Sequence, residues 1–265
     1  MKPQESHVKA NLLLVSEELD HESLVTMSRP EPLNLWEWSP PEDARTGDRH
    51  QKSLDARGAN WSGKDLGDTD LRDAQLCRCD IRSANLTQCQ LEGADLRLAL
   101  YDNKTILPEG FDIRTSGAVG PGAKLNGAFL NNSDLRGIDL RGAVLLGAYL
   151  SGADLSGAIL DGVSLAGSDL RSANLRGAIC RGTRFGACEM QMTDMRGAVL
   201  EKVEFDTVES IKGADFSLCS GLDQEQIKAL LSRPAEELDH WNPLSRSTTR
   251  HSLESLLEPR TSSGA

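Results

Sequence analysis

The amino-acid sequence predicts an all-β solenoid, a rod of stacked coils of extended chain, and three observations lead to this class. From Ala59 to Phe205 the sequence repeats every five residues, in units such as ADLSG at 153–157. Neither the 3.6-residue period of a helix nor the two-residue period of a strand sustains this pattern. Aromatic residues make up only 4% of the chain, which suits a repeat solenoid with small inward residues better than a conventional globular core.

The shape of the coil follows from alternation along extended chain. Residues two apart point the same way, so Ala153 and Leu155 face inward while Asp154 faces outward. The last two residues of each unit turn a corner, and four sides of five residues close a square coil. Coils stack about 4.8 Å apart, so we expect about seven coils in a rod roughly 30–35 Å long.

The large apolar residue of each unit, here called the centre, divides the repeats into two blocks. Nine centres run from Trp61 to Tyr101, and seventeen run from Leu125 to Phe205. Phe216 is one further centre, one residue out of step with the others. We therefore expect the solenoid to cover residues 59–218.

These consecutive Ala-Asp/Asn-Leu-x-x units resemble the pentapeptide-repeat family, whose fold is a right-handed quadrilateral β-helix. The interruption between the blocks, YDNKTILPEGFD at 101–112 followed by GPGA at 120–123, resembles an insertion common in cyanobacterial members. The spacing from Tyr101 to Leu125 predicts one coil plus a four-residue excursion. This loop insertion, at about 102–122, is either a plain bulge or a recognition loop.

The N-terminal segment, residues 1–58, is predicted to lie outside the coil. Apolar residues at helical spacing favour a helix over about 5–27. Residues 28–58 are rich in proline and read as a linker, with Trp36 and Trp38 expected to dock elsewhere.

The C-terminal segment, residues 219–265, is predicted to begin with a capping helix. Asp223 and Gln226 match a helix start in which the N3 residue reaches back to the cap. From about Ser232 the chain reads as mostly disordered, with a possible short helix at 252–257. The apolar face of the capping helix comprises Ile227, Leu230 and Leu231.

Catalytic, cofactor and metal sites are not predicted. All five histidines lie outside the coil, where a site is hard to preorganise. Cys77 and Cys79 should face opposite ways, so they do not form a metal site, and only Cys77 should point outward. The corner glycines lack the strand–loop–helix context of a phosphate-binding loop. The histidines are His7, His21, His50, His240 and His251.

The charge distribution disfavours a nucleic-acid partner. The net charge is −11, but residues 123–205 carry nine basic and nine acidic side chains, and no basic stripe is visible. No apolar run reaches the roughly 20 residues of a membrane span. The N-terminus lacks the features of a signal peptide. We therefore expect a cytoplasmic protein with no nucleic-acid or membrane partner.

One outward column predicts a contact surface. Ile159, Ile179 and Val199 occupy outward positions twenty residues apart, where polar residues are the rule in the first block. A contiguous apolar stripe suggests a surface covered either by a terminal segment of this chain or by another protein. We expect four further outward residues nearby, which are Phe129, Tyr149, Val144 and Leu146.

Three functions compete. The first is a non-catalytic protein–protein interaction scaffold or regulatory binding protein, from a cyanobacterium given the insertion. The second, implied by the family resemblance, is a DNA mimic that binds a type II topoisomerase such as gyrase. It needs a strongly negative rod, which the neutral second block disfavours. The third, an enzyme, is disfavoured by the absence of a site.

Overall fold

The computed structural model describes residues 53–257, most of which form a coil held by parallel β-bridges. Regular bridges join residues twenty apart, such as Asp154 with Asn174, and successive bridges are five residues apart along the chain. The bridged residues of the second block fall into four ladders, which contain Val144, Tyr149, Asp154 and Ile159. One turn therefore takes twenty residues and has four sides.

A single side shows how the five-residue unit builds the coil. The Leu155 amide donates to the Asn174 carbonyl of the next coil at 2.7 Å, and the Asp154 amide donates to Ser133 of the previous coil at 2.9 Å. At the corner, the Ala158 amide donates back to the Leu155 carbonyl at 3.0 Å. Gly157 sits there with φ +67°, a left-handed conformation that costs glycine little.

The core runs along the axis of the coil. The leucine centres are buried, as predicted, and the residue two before the centre is buried beside them in most units. At several of these positions a hydroxyl or thiol donates to a carbonyl of the previous coil, such as Thr183 Oγ1 to Leu160 at 2.8 Å and Cys188 Sγ to Leu165 at 2.9 Å. The small inward position thus tolerates Ser, Thr and Cys because a carbonyl satisfies each one.

The ladders extend slightly beyond the predicted bounds of 59–218. Bridges begin at Asp55 and end at Ser220. The centres beside them are Ala56 and Gly221, which are too small for the sequence pattern to reveal. Near the C-terminal end an extra residue shifts the register, because Glu189 pairs with Ser210, twenty-one residues on.

Residues 102–122 interrupt the stack without adding length. Ile106 pairs with Asn85 and Val119 pairs with Leu100, one residue more and one fewer than the regular twenty. The predicted four-residue excursion is therefore wrong, since the segment takes the length of one turn. A short 3-10 helix, Ile113–Thr115, lies between these bridges. Among the described residues, no parallel bridge connects this segment to the coil that follows.

A few specific contacts join the two blocks across this interruption. The Tyr101 hydroxyl donates to the Pro121 carbonyl at 2.7 Å, and burial raises the pKa of Tyr101 to about 12. The Lys124 amide donates to the Arg114 carbonyl at 2.8 Å. Asn103 Nδ2 lies 3.3 Å from Asp139 Oδ2. The junction is thus held by side chains and one irregular backbone bond.

A helical segment follows the last coil. Helix α1 spans Gln224–Leu231, and Asp223 caps it in a capping box with Gln226. Ile227 and Leu230 are buried on its inner side.

The sequence predicted mostly disorder from Ser232, and for the described part of that stretch this is wrong. Helix α2 (Ala235–Leu238), a hairpin of β1 (Trp241–Asn242) and β2 (Ser247–Thr248), and helix α3 (Thr249–Glu254) follow α1. Leu238 and Leu253 are buried, and Asn242 Nδ2 donates to the Gly213 carbonyl at 2.7 Å. A few well-placed contacts order this polar segment against the last coil, although its composition resembles a disordered tail.

The predicted N-terminal helix at 5–27, most of the 28–58 linker, Trp36 and Trp38 lie outside the described residues. The end of the predicted linker is described, and there Asp55 and Ala56 already belong to the first coil.

Candidate interaction surfaces

The column of Ile159, Ile179 and Val199, hereafter the aliphatic column, lies in one ladder. Ile159 pairs with Ile179, and Ile179 pairs with Val199. All three side chains are half-buried, because each β-branched residue packs against its neighbour one coil away.

A second set, hereafter the aromatic patch, comprises Phe129, Tyr149, Val144 and Leu146. Phe129 and Tyr149 pair in the ladder, and their rings stack with centroids 4.8 Å apart and planes 7° apart. Phe129 is 74% exposed, and Tyr149 and Leu146 are each 44% exposed. Val144, on the preceding side, is half-buried.

Phe129 and Tyr149 lie on the face of the coil opposite the aliphatic column. Ile159 is ten residues beyond Tyr149, and ten residues are two of the four sides. The expectation that Phe129 and Tyr149 lie near the column is therefore wrong. The four residues of the aromatic patch lie on two adjoining sides, and the side that holds Val144 is next to the side of the column, since Val144 comes five residues after Asp139 of that ladder.

The aromatic patch is more exposed than the aliphatic column. The aliphatic column is longer, but its members shield each other. Phe129 pairs only with Tyr149, and the segment before it contributes no bridged neighbour within the described chain. One face of the Phe129 ring is covered by Tyr149, so most of its exposed area belongs to the other face and the edge.

Charged residues on the outer surface neutralise one another at the corners. Eight Asp-x-Arg turns form ion pairs through both Nε and Nη2 of the arginine. In Asp139 and Asp169 this hydrogen bonding holds the pKa of the carboxyl below its usual range. Such exposed pairs contribute little stability each. The eight pairs are Asp55–Arg57, Asp70–Arg72, Asp80–Arg82, Asp95–Arg97, Asp134–Arg136, Asp139–Arg141, Asp169–Arg171 and Asp194–Arg196.

The cysteines follow the predicted inward pattern. Cys77 is half-exposed, and the other five are buried. Burial raises the pKa of Cys79 to about 12 and of Cys188 to about 11. In the described part of the chain, no group of three or more His, Cys, Asp and Glu residues could hold a metal ion. None of the helices described is both long and apolar enough to span a membrane.

Sequence reasoning missed several exposed apolar residues. Ile106 is 53% exposed, but it lies where the repeat breaks, so no register could assign it. Leu218 is 74% exposed and has φ +63°. It comes two residues after the centre Phe216, a corner position that the repeat itself would have indicated. Trp241 and Leu244 are exposed on the C-terminal hairpin, for which the repeat gives no signal.

A four-sided coil with five residues per side defines a class of solenoid, and similarity to known proteins identifies the family. The family model described as pentapeptide repeats matches residues 65–97, 122–157 and 148–179, in eight copies. The repeat region of this chain therefore belongs to the pentapeptide-repeat family, and its fold is the quadrilateral β-helix of that family.

Solved structures similar to this chain are also pentapeptide-repeat or resistance proteins. One from the Arabidopsis thaliana thylakoid lumen is 27% identical, with 51% of this chain and 89% of that chain covered and a TM-score of 0.37. HetL, involved in heterocyst differentiation regulation in the cyanobacterium Nostoc, is 23% identical (67% and 94% covered, TM-score 0.22). QnrB1, a plasmid-mediated fluoroquinolone resistance protein, is 18% identical (68% and 88% covered, TM-score 0.27). No curated protein matches the sequence.

Proposed function

We propose that this protein is a non-catalytic protein-binding module, a scaffold or regulator, that works without a cofactor. A right-handed quadrilateral β-helix, with its coils at the spacing of stacked strands, would serve as its rigid support. The insertion at 102–122 supports a cyanobacterial source, and the sequence supports a place in the cytoplasm.

The exposed aromatic stack of Phe129 and Tyr149 carries this proposal. Exposed aromatic side chains held by a rigid scaffold resemble the anchors that dominate protein interfaces. Val144 and Leu146 extend the apolar surface around the corner, while amide and hydroxyl groups such as Asn131 and Ser151 lie beside it. Lys124 pairs with Val144 and Asp169 pairs with Tyr149, so the apolar centre has a polar and partly charged rim, which suits a protein partner.

The aliphatic column is a second contact surface in this proposal. Its half-buried side chains form a flat strip, which suits a segment of this chain or a weaker protein contact.

The gyrase-binding DNA mimic ranks below the protein-binding module. Its essential property is a strongly negative rod, whereas the second block carries nine basic and nine acidic side chains. The Asp-x-Arg turns place an arginine directly beside each paired carboxylate, which weakens the field of any acidic column.

The test uses matched surface variants and crosslinking. A photo-crosslinking amino acid at Phe129 should capture a protein from native extract, and that protein is then purified for binding measurements. The variant F129S/Y149S should weaken binding at least about tenfold, as expected for loss of an aromatic anchor. The control I159T/I179T/V199T alters the opposite face and should bind normally. Equal binding by both variants and the unmodified protein would exclude the aromatic patch as the contact surface.

A further inference from the structure

The interruption between the two blocks contains a cleft. Two ladders of the first block end at Ile106 and Val119, and the same two sides begin again at Lys124 and Asp139, without a bridge across the gap in the described chain. At this junction a cleft of about 380 Å³ opens. Its volume lies at the lower end of the range for small-molecule sites, about 300–1,000 Å³.

One part of the cleft wall is apolar. Leu107, Phe111 and Pro121 line it together with the ring of Tyr101. Gly120, at a position where regular coils carry a large apolar centre, leaves room for that ring. The apolar wall matches the surface of a single ring or a short branched chain.

Arg114 supplies a charged group on the same wall, and its ion pair differs from the others. In the eight other Asp-x-Arg turns, the arginine binds its carboxylate through Nε and Nη2. Arg114 reaches Asp112 through Nε alone, at 2.8 Å. Within the described chain its two terminal nitrogens donate no side-chain hydrogen bond, and the side chain is 58% exposed.

Each carboxylate that lines the cleft already has hydrogen-bond donors of its own. Asp102 accepts hydrogen bonds from Ser83, Lys104 and Thr105. Arg114, by its hydrogen bond, and then Lys124, by its charge, hold the pKa of Asp112 below its usual range. The Asp112 carboxylate therefore interacts with two cations, Arg114 and Lys124. The terminal nitrogens of Arg114 remain available as hydrogen-bond donors.

We propose that this cleft binds a small organic acid, with its carboxylate on the Nη atoms of Arg114 and its apolar body against Leu107, Phe111 and Pro121. Arginine favours this ligand class because its planar fork matches a carboxylate in two parallel hydrogen bonds. The carboxylate can come from a free metabolite or from the end of a peptide chain. This site is separate from the aromatic patch and does not depend on the proposed protein-binding function.

The test compares an acid with its neutral amide on the full chain. Phenylacetate should bind with a dissociation constant in the millimolar range or tighter, measured by ligand-observed NMR and calorimetry. Phenylacetamide should bind about tenfold more weakly, because it lacks the charge that Arg114 recognises. A peptide that ends in phenylalanine distinguishes the sources: tighter binding than phenylacetate indicates a chain end, and weaker binding indicates a free acid.

Two arginine variants separate this site from general charge effects. R114Q should weaken phenylacetate binding about tenfold. R136Q removes the arginine of a regular Asp-x-Arg turn and should leave binding unchanged, and thermal melting checks that both variants fold. The proposal fails if no probe binds at about 10 mM. It also fails if acid and amide bind equally, or if R136Q weakens binding as much as R114Q.

Discussion

Gly120 lies directly against Tyr101, since a Cβ on Gly120 would come 2.6 Å from the Tyr101 carbonyl oxygen and 2.8 Å from two of its ring carbons. Both residues occupy centre positions on successive coils, because Leu100 pairs with Val119. In a regular coil, large side chains would stack at these two positions. Here the Tyr101 ring also fills the volume that a side chain at Gly120 would occupy. The packing of one aromatic ring against one glycine is therefore part of the junction between the two blocks.

We expect Gly120→Ala to destabilise the protein by about 1–3 kcal/mol, the usual cost of overpacking a core. The backbone oxygen of Tyr101 cannot move aside without breaking the junction. Gly186→Ala is the matched control, because its added Cβ meets only the hydroxyl of Thr207, at 2.9 Å, which can rotate away. Chemical denaturation should therefore show a larger loss for Gly120→Ala, and equal losses would contradict this account of the junction.

Leu155→Asp should destabilise the coil by several kcal/mol, because it buries an unpaired charge where the leucine is fully buried. Ser156→Asp places the same charge one residue later, at the corner, and should cost less than about 1 kcal/mol. Urea unfolding measures both. A stable Leu155→Asp variant would show that the register of the coil is wrong.

Cys77 should react with a thiol reagent faster than any other cysteine in the described chain. Burial raises the pKa of all six thiols, to about 12 for Cys219 and about 11 for Cys89, so at neutral pH few are thiolates. Cys77 alone is also accessible to the reagent. Mass spectrometry after brief labelling of the native protein should find the label there, with a rate that rises with pH. Rapid labelling of Cys89 or Cys188 would contradict the inward assignment.

Acid should weaken the coil through its Asp-x-Arg turns. The folded pKa values of Asp139 and Asp169 lie below the unfolded value of about 3.9. The stabilisation is therefore present above about pH 4 and is lost as pH falls through the lower folded values. The variant D139N/D169N keeps the polar contacts but cannot titrate, so its unfolding free energy should fall less steeply between about pH 4 and 2. An unchanged slope would show that these pairs do not contribute.

The protein should not inhibit DNA supercoiling by gyrase at micromolar concentration. The second block carries no net charge, so it does not reproduce the potential of duplex DNA. A supercoiling assay with and without the protein tests this directly. Clear inhibition would overturn the charge argument and favour the DNA mimic.

The regular coil could be predicted from the sequence because its information is local and repeated. Each unit states which residue is buried, as Leu155 and Asp154 show, and many consistent units fix one register. The five-residue period also places Ile159 two sides from Tyr149, because ten residues separate them. The sequence therefore contains the information that these two residues lie on opposite faces.

The sequence by itself determined the period, the inward and outward residues, and the capping box of Asp223. Only the tertiary structure decided what happens where the repeat fails. Gly120 and Ala56 occupy centre positions although they are small. At Gly120 the neighbouring Tyr101 ring limits the space. Ala56 lies at the end of the coil. The segment after Ser232 is ordered by single contacts, such as Asn242 with Gly213, that no local pattern encodes. Exposure of Phe129 likewise depends on a missing neighbour, which is a property of the stack and not of the five-residue unit.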